Sequence, residues 1–212
     1  MIVYGSPRAT PPGAPSKRIG GFCTGTLIHP RVVLTAAHCL WNKRTQRLLP
    51  PVSLIFVAGY RGGEWLAHSP AARLVVAPGW DAKTQRAGKT LQHDWALIEL
   101  KQPIGNAIAP LPVAAGVGLD KPRTQAGYSQ DKAHVLTVHK NCRMIGKTKG
   151  TRLLAHGCDA VPGDSGSPIL HETDKGYRVS AIHVATAKTY GLAVPAAAFR
   201  ATVDKMIAGL SK

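Results

Sequence analysis

Residues 163–168 of this chain read Gly-Asp-Ser-Gly-Ser-Pro, and two further blocks precede them. The first is Thr-Ala-Ala-His-Cys at residues 35–39, and the second is Asp-Trp-Ala-Leu-Ile-Glu-Leu at residues 94–100. Together they place a histidine, an aspartate and a serine in that order along the chain. Such a triad runs Ser, Asp, His in α/β-hydrolases and Asp, His, Ser in subtilisins. The order therefore argues against both of those folds.

The surroundings of Ser165 argue against the α/β-hydrolase fold a second time. The nucleophile of that fold lies in a G-x-S-x-G turn. Here Ser167 stands where the second glycine would be. The serine block must therefore belong to another architecture.

Composition predicts a folded protein without a membrane span. A chain of 212 residues fits one compact domain or two small packed halves, and its hydrophobic content of 44% is ordinary for a globular protein. No apolar stretch approaches the roughly 18 residues of a spanning helix, and residues 1–5 lack the apolar segment of a signal peptide. We expect a secreted or periplasmic protein whose signal peptide is absent from this chain.

The charge balance is strongly basic, with 27 Lys and Arg against 11 Asp and Glu. The resulting field attracts acidic partners, such as anionic polymers or phosphate-rich surfaces. The basic residues come as pairs, never as runs, and aromatic residues make up only 6% of the chain. The chain therefore has few aromatic side chains for base stacking and has no basic tract, and no sequence-specific nucleic-acid binding is expected.

The four cysteines, Cys23, Cys39, Cys142 and Cys158, show no zinc-like spacing, so no metal site is expected. Each half of the chain holds two cysteines that are 16 residues apart. Three pairings are possible in principle, and we favour the one with two local disulfides, which indicates an oxidising compartment. A loop of that length stabilises by about 3 kcal/mol in the chain-entropy model.

Short β-branched and apolar runs recur between Gly, Pro and Asn residues, which predicts an all-β sandwich or barrel. The runs are residues 31–35, 52–58, 74–77, 95–100, 135–138 and 179–184. A looser Pro- and Gly-rich stretch at residues 103–122 indicates a connection between two β halves. We therefore divide the chain into an N-terminal half at 1–108, a C-terminal half at 109–195 and a tail at 196–212.

The tail predicts the single helix of the chain. Phe199, Val203, Met206, Ile207 and Leu210 have the spacing of one helix face and follow a proline at position 195. This apolar stripe is expected to pack against the body of the protein, and we assign it a structural role.

The three blocks together resemble the chymotrypsin-like (trypsin-like) serine peptidases, in the short form typical of bacterial members. The resemblance covers most of the chain. It implies two packed six-stranded antiparallel β-barrels with a C-terminal helix, with His38 and Asp94 in the first barrel and Ser165 in the second. It also implies a monomeric endopeptidase that acts on proteins or peptides without a metal or organic cofactor.

The resemblance assigns Ser165 as nucleophile, His38 as general base and acid, and Asp94 as the residue that orients His38. A serine hydroxyl is a weak nucleophile at neutral pH, so a nearby imidazole must take its proton. Other aspartates compete with Asp94 for the third role, but only Asp94 begins a strand-like apolar run. These rivals are Asp81, Asp120 and Asp131.

The family's oxyanion hole implies that the backbone N–H groups of Gly163 and Ser165 bind the developing oxyanion. The family's activation mechanism implies that a freed ammonium group on Ile2 pairs with Asp164. A chain that still carries Met1 cannot form that pair. The alternative is that Ile2 lies in an edge strand and that other donors hold Asp164.

Two residues point to different substrate preferences. Asp159 lies six residues before Ser165, where trypsin-like enzymes place the acid that attracts Arg or Lys. His183 stands where glutamyl endopeptidases have a histidine that helps to bind an acidic side chain. We predict a weak preference for cleavage after Arg or Lys. The alternative function is a cationic binding protein on the same fold.

Overall fold

The computed structural model describes residues 1–5, 19–84, 90–116 and 118–210. Within these ranges the chain is mostly β-structure, with a single α-helix near its C-terminal end. The elements are β1 (Ile2–Gly5), β2 (Ile19–Cys23), β3 (Thr26–His29), β4 (Val32–Thr35), β5 (Trp41–Asn42), β6 (Arg47–Leu48), β7 (Leu54–Ala58), β8 (Ala67–Val76), β9 (Ala96–Leu100), β10 (Arg123–Gly127), β11 (Thr137–Cys142), β12 (Met144–Lys147), β13 (Leu154–His156), β14 (Pro168–Thr173), β15 (Gly176–Thr186), β16 (Gly191–Pro195) and α1 (Arg200–Leu210).

The strands form two antiparallel seven-stranded sheets and one small hairpin. The first sheet has the order β2-β1-β7-β8-β9-β4-β3, and the second has the order β11-β10-β14-β15-β16-β13-β12. The outermost strands of each sheet follow one another in the chain. Residues 24–25 separate β2 from β3, and residue 143 separates β11 from β12.

This connection curls each sheet into a half-barrel, because one bent segment of chain forms both of its edges. The sequence predicted six strands in each barrel. The count becomes seven because the bent segment is interrupted at residues 24–25 in the first sheet and at residue 143 in the second. The predicted two-barrel architecture with a C-terminal helix is confirmed.

The apolar core has three parts, because several strands are covered on both faces. All four residues of β4 are buried. Val33 belongs to a cluster inside the first half, while Val32 and Leu34 belong to a larger cluster that also contains residues of the second half, such as Val179 and Ile182. Alternate side chains of one strand point to opposite faces, which explains this division. A third cluster lies inside the second half.

Most of the predicted strands have counterparts, but the run at 135–138 is largely wrong. The strand there begins only at Thr137, because Gln130–Lys132 forms a 3₁₀-helix and the Val135 N–H donates to Lys132 O at 3.1 Å. The Val135 N–H is therefore used within that turn and does not join a strand ladder.

The segment between the two sheets contacts both of them. The Leu111 N–H donates to Leu27 O at 2.8 Å, and the Ala114 N–H donates to Val179 O at 2.9 Å. The first sheet ends at residue 100 and the second begins at residue 123. The exact division at 108/109 stays a prediction.

The predicted apolar stripe of α1 packs as expected. Phe199, Val203 and Met206 are buried in the cluster shared by the two halves. The ring of Phe199 lies 6.1 Å from the ring of Trp95, centre to centre. Phe199, directly before α1, therefore packs on the residue that follows Asp94. Among the described residues, no helix is long and apolar enough to cross a membrane.

Candidate active site

His38 and Asp94, both in the first half of the molecule, are bonded to each other. Asp94 is fully buried and follows the 3₁₀-helix Leu91–His93, directly before β9. Its Oδ2 lies 2.7 Å from His38 Nδ1, and its Oδ1 accepts the backbone N–H of His38 at 2.8 Å. Two bonds from one carboxylate fix both the ring and the backbone of His38. The second ring nitrogen, Nε2, is thereby left for another partner.

The turn that carries Ser165 is bonded to the first half of the molecule. The Thr24 N–H donates to Ser165 O at 2.9 Å, and Thr24 Oγ1 donates to Gly163 O at 3.1 Å. Ser165 O also lies 3.8 Å from Cys39 Sγ, next to His38 in the chain. Among the described hydrogen bonds, none joins Ser165 Oγ to His38. Such bonds are often long without substrate and tighten in the reacting complex.

Two glycines give the serine turn its shape. Gly163 has a φ of +99° and Gly166 has a φ of +83°, a region that other residues rarely adopt. A Cβ on Gly163 would lie 2.5 Å from Tyr128 O, and a Cβ on Gly166 would collide with Thr24 O. Within the described residues, neither the Gly163 N–H nor the Ser165 N–H donates to a protein acceptor. Both are available to a bound oxyanion.

Asp164 is buried, and three groups of its own half donate to it. Ser129 Oγ donates to its carboxylate at 3.0 Å, the Val161 N–H donates at 3.0 Å and Ser167 Oγ at 3.5 Å. Burial raises the pKa of the Asp164 carboxyl, and the bonds from Val161, Ser129 and Ser167 act in the opposite direction.

The structure does not bring Ile2 to Asp164, so the predicted activation pair is absent from it. Ile2 lies in β1, where it pairs with Cys23 on one side and Phe56 on the other. Its nitrogen is part of a peptide bond, so it carries no ammonium charge. The alternative of an edge strand also needs correction, because β1 lies between β2 and β7.

Asp159 is among the residues that line a cavity of about 270 Å³, but it is too exposed to form the buried base of a pocket. Its side chain is 95% exposed, and its Oδ2 lies 3.3 Å from His139 Nδ1. The same nitrogen accepts the Asp159 N–H at 2.8 Å. A carboxylate in water attracts a substrate cation far less than a desolvated one. The structure therefore gives the predicted preference for Arg or Lys no support from Asp159.

His183 belongs to a chain of buried hydrogen bonds. The Cys158 N–H donates to Nδ1 of His156 at 3.2 Å, and Nε2 of His156 lies 3.1 Å from Nδ1 of His183. Nε2 of His183 lies 3.5 Å from Thr186 Oγ1. Burial lowers the pKa of His156 to about 4 and that of His183 to about 3, and each effect is reinforced by positive charge on neighbouring histidines. Both rings are therefore neutral at pH 7.

This chain of bonds determines which nitrogens carry protons. Because Nδ1 of His156 accepts from the Cys158 N–H, its single proton must sit on Nε2. That proton is donated to Nδ1 of His183, so the proton of His183 must also sit on Nε2. Neutral His183 thus presents an N–H donor toward Thr186. The hydroxyl of Thr186 in turn donates to Ala160 O at 3.4 Å. This bond joins the segment before the serine turn to the end of β15.

Both predicted disulfides are present, Cys23–Cys39 and Cys142–Cys158, and the described residues contain no free cysteine. The cluster of Cys23, His38 and Cys39 has a metal-like spacing. Its two sulfur atoms are bonded to each other, however, so they are not available as thiolate ligands.

Sequence reasoning missed two residues that hydrogen-bond candidate site residues. His156 is fully buried and holds His183, and Ser129 donates to Asp164. His156 ends the apolar run Leu-Leu-Ala-His just before Cys158, which could have marked it as buried. Nothing in the local sequence of Ser129 indicates its partner, which lies 35 residues away.

Comparisons with known proteins relate this chain to serine peptidases. The chain is 29% identical over 160 residues to a glutamyl endopeptidase of Bacillus licheniformis, covering 72% of this chain and 46% of that protein. It is 30% identical over 188 residues to human serine protease 23, covering 74% of this chain and 45% of that protein. The chain thus spans less than half the length of both curated relatives.

Solved structures show the same fold. A glutamyl endopeptidase solved in complex with MPD superimposes with a TM-score of 0.69 at 22% identity, covering 98% of this chain and 90% of that one. The thermostable serine protease AL20 from an extremophilic microorganism gives a TM-score of 0.69 at 16% identity, covering 92% of this chain and 88% of that one. The family model described as Trypsin matches residues 9–203. On the fold, the arrangement of the three blocks and this match, the chain belongs to the Trypsin family.

Proposed function

We propose that this protein is a serine endopeptidase in which Ser165, His38 and Asp94 form the catalytic triad. The observation that carries the proposal is the fully buried Asp94, whose carboxylate bonds both Nδ1 and the backbone N–H of His38. A carboxylate on Nδ1 keeps the proton there, leaves Nε2 basic and stabilises the imidazolium that forms during catalysis.

The reaction proceeds in two steps. Ser165 Oγ attacks the carbonyl carbon of the scissile peptide bond and passes its proton to His38 Nε2, which gives it to the leaving amine. A water molecule, activated by the same imidazole, then hydrolyses the acyl-enzyme. The N–H groups of Gly163 and Ser165 bind the oxyanion of both tetrahedral intermediates, and losing one such donor costs about 3 to 4 kcal/mol of transition-state stabilisation.

Labelling with a fluorophosphonate probe tests the proposal. Ser165→Ala should abolish labelling and reduce kcat by about 10⁶-fold, since the nucleophile is gone. Ser53→Ala is the matched control, because the Ser53 hydroxyl donates to Pro50 O in an exposed hydrogen bond, away from the proposed site. Labelling that persists in Ser165→Ala would contradict the assignment of the nucleophile.

We further propose that the enzyme prefers an acidic side chain before the cleaved bond, instead of Arg or Lys. The Nε2–H of His183 is a donor held in one direction by His156, and it suits a carboxylate acceptor. The net charge of +16 favours acidic substrates as well. A glutamyl endopeptidase among the relatives supports the same choice.

Cleavage of a mixed peptide library tests this preference. His183→Gln should lower kcat/KM for substrates with Glu before the cleaved bond by about 10- to 100-fold, the worth of a hydrogen bond to a charged group. Asp159→Ser should leave the profile unchanged, because the Asp159 carboxylate lies in solvent. A wild-type preference for Arg or Lys that Asp159→Ser removes would overturn the proposal and restore the original prediction.

The second candidate is a cationic binding protein without proteolytic activity, which the net charge of +16 favours. An unlabelled wild-type chain that is strongly retained on an anionic resin would support it. The two buried disulfides favour an oxidising compartment for either function, and we propose secretion or export to a periplasm on that ground.

A further inference from the structure

A cavity of about 560 Å³ lies in the second half of the molecule, away from the proposed active site. It opens between strands β12 and β13 on one side and the 3₁₀-helix Ala196–Ala198 on the other. Its lining includes none of the residues proposed above for catalysis or substrate binding. The volume lies within the range of small-molecule sites.

The interior of the cavity is mainly apolar. Leu119, Met144 and Leu154 contribute hydrocarbon surface, and three consecutive alanines, Ala196–Ala198, form a low wall. Met144 and Leu154 are themselves buried in the third core cluster, so this wall is rigid. An apolar part of a ligand would gain about 25 cal/mol for each Å² that it removes from water here.

The charged residues that line the cavity are all basic. They are Arg123, Lys147 and Arg152, and no acidic residue lines the cavity. Lys147 and Arg152 are exposed, and neither forms an ion pair within the described part of the chain. They also belong to the segment of residues 132–158, which contains no Asp or Glu. Residues of that segment therefore supply no carboxylate that could offset the charge of Lys147 and Arg152.

Arg123 sits deepest, with only 3% of the residue exposed. Its guanidinium group donates to the backbone oxygens of Lys121 at 2.6 Å and Pro122 at 3.1 Å, and also to Gly118 O. Burial lowers the pKa of Arg123, and the nearby carboxylate of Asp120 partly offsets this effect. No carboxylate bonds the guanidinium among the described residues. A buried cation without a bonded anion is costly, so an anion at this position would be stabilised.

We propose that this cavity binds a small amphiphilic anion, with a carboxylate or similar head at Arg123, Lys147 and Arg152 and an alkyl body against Leu119, Met144 and Leu154. Both parts of the ligand are required by the site. The basic rim selects the charge, and the apolar interior selects a hydrocarbon body over a free ion. The proposal does not depend on the peptidase activity.

Isothermal titration calorimetry with decanoate tests the proposal in the Ser165→Ala chain, which cannot digest itself. Decanoate should bind with a stoichiometry of one. Acetate has the same head without a body, and decyltrimethylammonium has the same body with the opposite charge. Neither should give a measurable binding heat at the concentrations at which decanoate saturates.

Two variants locate the site. Lys147→Gln together with Arg152→Gln should weaken decanoate binding by about tenfold, the worth of two partly exposed ion pairs. Ala198→Phe should fill the cavity and abolish binding, while Ala201→Phe, at an exposed position of α1 outside the lining, is its matched control. Thermal unfolding checks that each variant is folded. Absence of decanoate binding, or binding that neither variant changes, would overturn the proposal.

Discussion

The two halves of the molecule share one architecture, but the histidine that we assign to the site in each half has a different partner. Each half is a curled sheet closed by a bent segment, and each is linked by one disulfide with a separation of 16 residues. In the first half His38 faces the carboxylate of Asp94, whereas in the second half His183 faces a second imidazole, His156. The group bonded to the imidazole ring, more than the surrounding sheet, determines whether the charged or the neutral form of the histidine is stabilised.

Under the proposed function, the two histidines have different roles. A carboxylate beside His38 stabilises an imidazolium, which suits a residue that must accept and release a proton. Burial against another imidazole keeps His183 neutral and directs its Nε2–H toward Thr186 Oγ1, which suits the substrate-recognition role that we propose for it.

The strongest test of this comparison removes the charge beside His38. Asp94→Asn should reduce kcat by about 10⁴-fold, because an amide cannot hold the same tautomer or stabilise the imidazolium. Steady-state kinetics on a peptide substrate measures the loss. Asp81→Asn is the control, since Asp81 is exposed and its carboxylate, among the described residues, bonds groups of its own turn. A loss of less than tenfold in Asp94→Asn would refute the comparison.

The next test removes the two disulfides one at a time, which distinguishes the contributions of the two halves. Replacing Cys23 and Cys39 by alanine, or Cys142 and Cys158, should cost about 3 kcal/mol of unfolding free energy in either case, because the two loops are equally long. Urea unfolding measures both. The first replacement should also lower turnover, since Cys39 adjoins His38 and contacts Ser165 O.

The second replacement should instead weaken the selection of acidic substrates, because the Cys142–Cys158 disulfide holds the chain segment whose backbone N–H at residue 158 orients His156. The peptide-library profile measures this change. Equal effects of both replacements on turnover and on substrate preference would argue against separate roles for the two halves.

The smallest expected effect is on acid stability. The folded-state pKa values of His156 and His183, about 4 and about 3, lie below the usual value of 6.5. The unfolded chain therefore takes up these protons first. The contribution to stability is complete above pH 6.5 and is lost as the pH falls toward 3, by on the order of 2 kcal/mol per histidine between pH 7 and 5.

Unfolding free energies at pH 7 and pH 5 measure this loss. Comparing the change between the two pH values in the wild type and in a histidine variant isolates the contribution of the histidines. The comparison is needed because burial raises the pKa of Asp164, which acts with the opposite sign. His156→Gln should flatten the pH dependence, and His68→Gln, at an exposed position, should not. An unchanged slope in His156→Gln would show that the buried pair is not neutral.

The sequence by itself determined the elements whose signals are local. The β-rich pattern, the apolar stripe of α1, the two disulfides and the three blocks that carry His38, Asp94 and Ser165 could all be read from neighbouring residues and their spacing. Such features depend on strand alternation, helix periodicity and short chain loops, and these interactions act within a few residues of one another.

Only the tertiary structure decided the features that depend on solvation and on distant partners. The spacing that suggested a buried acid at Asp159 says nothing about solvent access, and the folded chain leaves that carboxylate in water. Ile2 pairs within the first sheet, and Asp164 takes a serine from 35 residues away as its donor. His183 acquires its direction from His156, 27 residues earlier. These contacts arise where separate strands align, because burial and long-range hydrogen bonds exist only once the sheets have closed.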